Sequence, residues 1–311
     1  MPSTNSLAPN PDDESPHPPG VEPFWNESWY FDGVSADPEV GVYVRLGNVP
    51  NQGSCLYTVA VVRPGQPVVM VTDYAGPSPV LEDRRQIVHG ADYEAVQECV
   101  TRLADYRIQF SGAAQQYNDA IDVLRAEPGT HASLTLDLHW ITDGEPYAWQ
   151  ALTRYEIPCH VQGTVVIDGE TIAVYGPGQR DHSWGTRDWW ANDWMWSAFH
   201  LTDGTRIHAV ALPDVPDFAI GYIQTGGEIT ELTQGSATHQ KSKDGLVSSA
   251  VLRLGDPADP LVVHVTPRGF GPLRLEAPDG RVTHFQRAMA DFRTADGRSG
   301  VGWIEWNINQ H

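Results

Sequence analysis

Cysteine is scarce in this sequence: Cys55, Cys99 and Cys159 are the three in 311 residues. An odd number at wide spacing is neither a disulfide framework nor a zinc-ligand pattern, so reduced thiols and a cytoplasmic location are expected. Basic residues are also few, 20 against 40 acidic ones, for a formal charge of -20. Such a field repels phosphate backbones and anionic headgroups, which argues against nucleic acid and membrane surfaces as partners. A neutral apolar molecule meets no such repulsion, and solubility alone also accounts for the charge. No run of about 18 apolar residues is present, so no membrane span is expected. The first twenty residues lack the basic and apolar regions of an export signal.

Turn formers, by contrast, are abundant, with 24 Pro and 29 Gly. They favour many short strands over long helices. At about 150 residues per domain the length suggests two halves. Residues 1–20 carry six prolines and almost nothing large to bury, and are expected to form a disordered tail. Order is expected from about Pro23, and the two domains are placed at residues 21–157 and 158–311.

Short β-branched or aromatic runs at 41–46, 55–62 and 68–72 read as meander strands. The run from His131 to Trp140 alternates cleanly and reads as a half-buried strand. One helix is expected over Asp92 to Tyr106, where Tyr93, Val96, Val100 and Leu103 recur every three to four residues. Asp168-Gly169 and Asp203-Gly204 read as two-residue hairpin turns. The second of these would pair His200 with Ile207 and Phe199 with His208, sending the two histidines to opposite faces. Seven or more short strands in the second half point to a barrel or sandwich.

The outstanding local feature runs from Arg180 to Trp196. Trp184, Trp189, Trp190, Trp194 and Trp196 crowd thirteen residues, more aromatic area than an exposed loop carries. In an extended strand Arg180, His182 and Trp184 share one face, while Asp181 and Ser183 share the other.

Three chemistries compete for this segment. The first is protonation of an alkene in a dry cavity, with indole faces stabilising the carbocation. Its acid is either His182 as an imidazolium or a carboxylic acid of raised pKa, Asp181 or Glu156. The second is a serine hydrolase, since Asp181-His182-Ser183-Trp184-Gly185 has part of a nucleophile elbow. It lacks the first glycine and the strand-to-helix setting. The third is metal binding by some of the twelve histidines, none of which sits at a helical or strand ligand spacing, so no metal is expected. For each residue the plain alternative is structural: ion pairs brace turns, and large aromatics fill cores.

The stretch Gly176-Pro177-Gly178-Gln179-Arg180-Asp181-His182-Ser183-Trp184-Gly185-Thr186-Arg187-Asp188-Trp189 resembles the signature of the hydroxyneurosporene synthase (carotenoid hydratase) and AttH-like superfamily. Asn26-Glu27-Ser28-Trp29-Tyr30-Phe31, Val44-Arg45-Leu46, Pro50-Asn51-Gln52-Gly53, Tyr155-Glu156 and the closing Gly300 to Trp306 are similar to it as well, so the resemblance spans residues 23 to 308. It implies a mainly β fold of two tandem lipocalin-like antiparallel barrel halves. It also implies cofactor-independent addition of water to an isoprenoid double bond, or cyclisation, with His182 and Trp184 as the His-x-Trp element. The Tyr-x-Asp acid of the hydratases has no counterpart here, where the comparable stretch reads Arg206-Ile207-His208-Ala209-Val210.

The expected function is therefore a cofactor-independent lyase or isomerase acting on a hydrophobic, terpenoid-like alkene. His182, Asp181, Glu156 and His208 are the catalytic candidates. Trp184, Trp189, Trp194, Trp196, Tyr155, His200, Trp303 and Glu305 are the substrate-binding candidates. A non-catalytic carrier of an apolar ligand is the alternative, and either is compatible with a homodimer.

Overall fold

The computed structural model describes residues 7–36, 39–213 and 215–310. The short β-branched and aromatic runs form strands, and the Gly- and Pro-rich punctuation forms turns, giving two antiparallel sheets. The first is built from β1 (Trp25–Ala36), β2 (Glu39–Val49), β3 (Ser54–Val62), β4 (Val68–Pro77), β5 (Val80–Glu82), β6 (Arg85–His89), β7 (Tyr93–Thr101), β8 (Asp105–Tyr117), β9 (Thr130–Thr142), β10 (Tyr147–Ala148), β11 (Arg154–Ile167) and β12 (Glu170–Thr186). The second contains β13 (Trp194–Leu201), β14 (Arg206–Ala211), β15 (Ala219–Thr225), β16 (Glu228–Leu232), β17 (Gly235–Lys241), β18 (Val247–Leu254), β19 (Leu261–Phe270), β20 (Leu273–Glu276), β21 (Val282–Thr294) and β22 (Ser299–Gln310). The fold is mainly β, in two lipocalin-like halves.

In the first sheet the order β11-β12-β1-β2-β3-β4-β8 is closed by β9, which pairs with both β8 and β11. Closure removes the sheet edges and turns one face of each strand inward. Trp29, Phe31, Val42, Val44, Tyr106, Leu136, Leu138, Trp140, Tyr155 and Ile157 are among the buried residues that fill this interior. The second sheet packs Phe199, Ile207, Leu252, Val263, Phe292 and Ile304 into a core of its own. Among the described residues no helix is long and apolar enough to cross a membrane.

Four expectations are corrected. The helix over Asp92 to Tyr106 is instead the hairpin of β7 and β8, with Leu103 at φ 56 in its turn. Ala95 and Cys99 face the core while Val96, on the opposite face, is also buried, and a strand apolar on both faces mimics a helical period. The domain boundary at 157/158 falls inside β11, which pairs with β9 and β12 of the first sheet. The first compact unit takes in the described residues up to Val61, then Val69–Gln115 and His131–Arg187; the second holds Val62–Val68, Gln116–Thr130 and the described residues from Asp188 on. Residues 1–6 of the expected tail lie outside the described residues, but the rest of it is placed: Pro11–Glu14 forms a 3-10 turn and Glu14 is only 3% exposed. Counting apolar surface overlooks a segment anchored by a buried charge.

The fourth correction concerns the β13–β14 hairpin, whose observed pairs are Phe199 with Ile207, His200 with Arg206 and Ala198 with His208. Its loop is longer than two residues: Leu201 N donates to Thr205 O at 2.8 Å, and Gly204 has φ 87. This matches a type I turn with a bulge, which shifts the pairing by one residue. His200 and His208 consequently share a face. It is the face opposite Phe199 and Ile207, so neither histidine packs into the apolar cluster around those two, although His208 is fully buried.

The glycines of the Gly176-Pro177-Gly178 stretch have a packing reason. A Cβ at Gly178 would lie 2.2 Å from Asp32 O and 2.4 Å from Val161 Cγ2, and one at Gly176 would lie 2.1 Å from Val34 O. These contacts bring β12 against β1 close enough to hold Arg180 and His182 in register. Gly178→Ala is expected to destabilise the protein by about 1–3 kcal/mol, since backbone must shift to admit the methyl. A urea unfolding midpoint unchanged from wild type would refute this.

Candidate active site

Three strands place the site. Trp29, His182 and Tyr155 stand abreast across β1, β12 and β11. Because side chains alternate, Glu27 and Trp29 join Arg180, His182 and Trp184 on the inward face. Tyr30, Asp181 and Glu156 are abreast on the other face.

His182 is fully buried. Its Nε2 lies 2.9 Å from Glu27 Oε1 and its Nδ1 3.2 Å from the Tyr155 hydroxyl. Tyr155 donates to Glu14 Oε1 at 2.9 Å, and Arg180 Nη1 donates to the same oxygen at 2.8 Å. The indole of Trp29 stacks on the imidazole with ring centroids 4.4 Å apart, and Trp184 lies 5.2 Å away at a tilt. His17 stacks on the outer side of Trp184 at 3.8 Å and directs Nδ1 to Glu27 Oε1 at 2.7 Å.

Proton accounting follows from these contacts. Burial acts to raise the pKa of Glu14, but the charge and hydrogen bond of Arg180 and the bond from Tyr155 outweigh it and hold the carboxyl below its usual range. Glu27 is lowered in the same way: burial is overcome by hydrogen bonds from His17 and His182. Both carboxylates therefore only accept. Tyr155 spends its single proton on Glu14, so its oxygen must accept from His182 Nδ1–H, and Glu27 must accept from Nε2–H. The hydrogen-bond pattern thus offers an acceptor to each ring nitrogen, Glu27 to Nε2 and the Tyr155 oxygen to Nδ1. Burial disfavours charge on His17, but the Glu27 bond and charge, with Asp13 beyond, raise its pKa overall.

Asp181 and Glu156 form a separate cluster on the outer face. Arg154 donates from Nη2 to Asp181 Oδ2 at 2.8 Å and from Nε to Glu156 Oε1 at 2.8 Å, and Gln179 Nε2 donates to Glu156 Oε2 at 2.9 Å. Burial, opposed by Arg154 and reinforced by Glu156, pushes Asp181 up to about 7. Asp181 therefore stands on the opposite face of β12 from His182, as the alternation of an extended strand expects. The same alternation disposes of the serine hydrolase, for Ser183 Oγ bonds Ser28 Oγ at 3.1 Å on the outer face.

The remaining candidates belong to the second unit. Trp196, His200, His208, Trp303 and Glu305 share one face of β13, β14 and β22. There the His208 ring lies 5.6 Å from Trp196 and 5.7 Å from Tyr222. Glu305 accepts from Trp194 Nε1 at 3.2 Å and is paired with Arg287. Trp189, in the loop before β13, packs on Phe285 at 5.9 Å. None of these contacts involves His182.

Sequence reasoning missed Glu14, His17 and Glu27. Glu27 was detectable, since it alternates in phase with Trp29 and Phe31 and so faces inward, where a lone acid needs a partner. Glu14 and His17 carried no such signal. Donor atoms of His17, Glu27 and His182 lie within 4.8 Å of one another, a set able to hold a metal ion. Its members come from distant segments, so ligand spacing in sequence could not reveal it. In the hydrogen-bonded arrangement the same space is spanned by two N–H···O contacts to Glu27, and a metal would have to displace both protons.

Over residues 10–310 the sequence matches the family described as Domain of unknown function (DUF7064), and the chain belongs to that family. No curated protein matches it. Solved structures of similar fold include the AttH-like protein of Nitrosomonas europaea, 17% identical with a TM-score of 0.63 over 99% of both chains. CghA bound to Sch210972 is 12% identical with a TM-score of 0.56, over 97% of this chain and 96% of that one. Kievitone hydratase of Nectria haematococca is 12% identical with a TM-score of 0.54, over 98% and 94%. At these identities the likeness is one of fold.

Two outcomes are expected. A carboxyl raised above its unfolded value binds extra protons in the native state between about pH 4 and 7, so its contribution to stability is full at the acid end and lost as pH rises through about 7. Asp181→Asn should therefore gain stability relative to wild type at pH 8 compared with pH 5, measured by urea unfolding. Dialysis against EDTA should leave the thermal midpoint unchanged; a fall restored by zinc would assign the His17–Glu27–His182 set to a metal.

Proposed function

We propose that the protein is an acid/base enzyme acting on an apolar, alkene-bearing small molecule, with His182 as the proton donor. The observation that carries this reading is the buried imidazole that bonds to Glu27 on one side and to Tyr155, and through it to Glu14, on the other, against the Trp29 ring. An imidazole proton donor beside indole faces suits protonation of a carbon–carbon double bond.

One N–H proton of His182 passes to the alkene π pair, leaving a carbocation on the neighbouring carbon beside Trp29 and Trp184. Water then adds and returns a proton to the neutral imidazole, giving an alcohol, or an adjacent C–H is lost to it, giving a rearranged alkene. Glu27 favours the recharged ring. Kievitone hydratase shares the fold, and its name is in keeping with a water-adding reaction. The hydroxyneurosporene synthase resemblance at Arg180 to Trp184 supports the same class. Asp181 and Glu156, braced by Arg154 on the outer face, are read as structural, and the His208 face of the second unit as packing.

The test is a panel of terpenoid-like alkenes incubated with protein in deuterated water, with mass analysis of recovered material. One carbon-bound deuterium per product is expected. His182→Gln should reduce turnover by about 10²–10⁴-fold with the fold retained. Ligand that binds and quenches tryptophan fluorescence yet is recovered unchanged and unlabelled would favour the carrier instead.

A further inference from the structure

Arg180 is buried to 2% exposure, yet only Nη1 is used, in its bond to Glu14. Its Nε and Nη2 atoms are buried with no oxygen or nitrogen partner among the described residues, and the hydrogen-bonding group beside the guanidinium is the soft Cys159 thiol. Those two nitrogens share the guanidinium edge that takes a carboxylate side-on through two parallel hydrogen bonds. On β7, Gln97 shares the inward face with Ala95 and Cys99, is completely buried, and has both amide atoms unpaired. Cys99 itself reaches Glu14 Oε2 at 3.5 Å.

The Glu14 carboxylate comes from a segment that pairs with no strand. Asn10–Pro19 is held by side chains: Glu14 on Arg180 and Tyr155, His17 on Glu27, and Arg102 on Asp12 and Ser15. Glu14 engages Arg180 through one nitrogen and leaves the two-point edge without a carboxylate.

We infer that Glu14 is a built-in stand-in for a ligand carboxylate, and that the site takes an apolar carboxylic acid, which displaces the Asn10–Pro19 segment and binds Arg180 through its open edge. Exchange of one carboxylate for another leaves the charge around Arg180 and His182 unchanged, so the overall acidity of the protein does not bar an anionic guest. Arg180 and His182 are two residues apart on one face, about 6–7 Å along the strand. An acid anchored at Arg180 would therefore present to His182 a double bond several carbons from its carboxylate. The inference rests on the reading that substrate binds on the His182 side.

The experiment uses full-length protein, with decanoate and decanol as probes below their micellar concentrations. Glu14→Ala should bind decanoate about tenfold or more tightly than decanol by tryptophan fluorescence, and more tightly than wild type, where Glu14 competes. Adding Arg180→Met should abolish the preference for the acid. Independently of any variant, decanoate but not decanol should accelerate cleavage of wild type after Glu14 by a glutamate-specific protease, because the buried residue is freed. Should Glu14→Ala fail to fold, this cleavage decides. Equal affinity for the two probes, or cleavage that decanoate leaves unchanged, would mean that the open edge holds water only and would overturn the inference. Neither readout needs turnover, and decanoate has no double bond to protonate, so binding of the acid is decided separately from the acid-catalysis reading, which stands or falls on deuterium incorporation into the alkene panel.

Discussion

A guanidinium inside a β-barrel is the constraint from which the first unit's chemistry follows. Arg180 cannot be stripped of water without a counter-charge, and breaking such a pair costs about 3–5 kcal/mol. The chain supplies the counter-charge from a proline-rich segment near its start, 166 residues away in sequence. Once Glu14 is there, its second donor, Tyr155, is committed, and Tyr155 in turn fixes which way the His182 ring is protonated. Each step follows from burial, which obliges polar groups to find their partners within the chain.

The alternation of β12 divides the acids by role. Inward, His182 meets the Glu27 carboxylate directly and the Glu14 carboxylate through the Tyr155 hydroxyl. Outward, Asp181 and Glu156 face each other over Arg154, and burial pushes Asp181 towards neutrality. Two titrating systems therefore sit back to back across a single strand, with Gly176 and Gly178 letting that strand lie close against β1. A one-residue slip would exchange their environments, which is why the close approach matters to the site as well as to the fold.

Much of the architecture was legible beforehand. Strand-length runs, turn dipeptides such as Asp168-Gly169, and the Gly-x-Gly-x-Arg-Asp-His-Ser-Trp stretch led to a two-part, lipocalin-like β protein. The inward face of Arg180, His182 and Trp184 followed from period two alone. The β7–β8 hairpin was misread because Val96 and its neighbours are apolar on both sides of one strand. The β13–β14 register was misread because one extra loop residue carries no compositional mark. Asp181 and His182 are both catalytic candidates by sequence, and the pleat sends them to different environments.

The sequence by itself determined which residues alternate, where the chain turns and which side chains cannot face water, because these depend on local periodicity and solvation. Only the tertiary structure decided which charge meets which. Glu14, His17 and Glu27 reach Arg180, Tyr155 and His182 through closure of the barrel and docking of a segment outside every strand, and contacts between residues so far apart in the chain leave no period, spacing or composition to read.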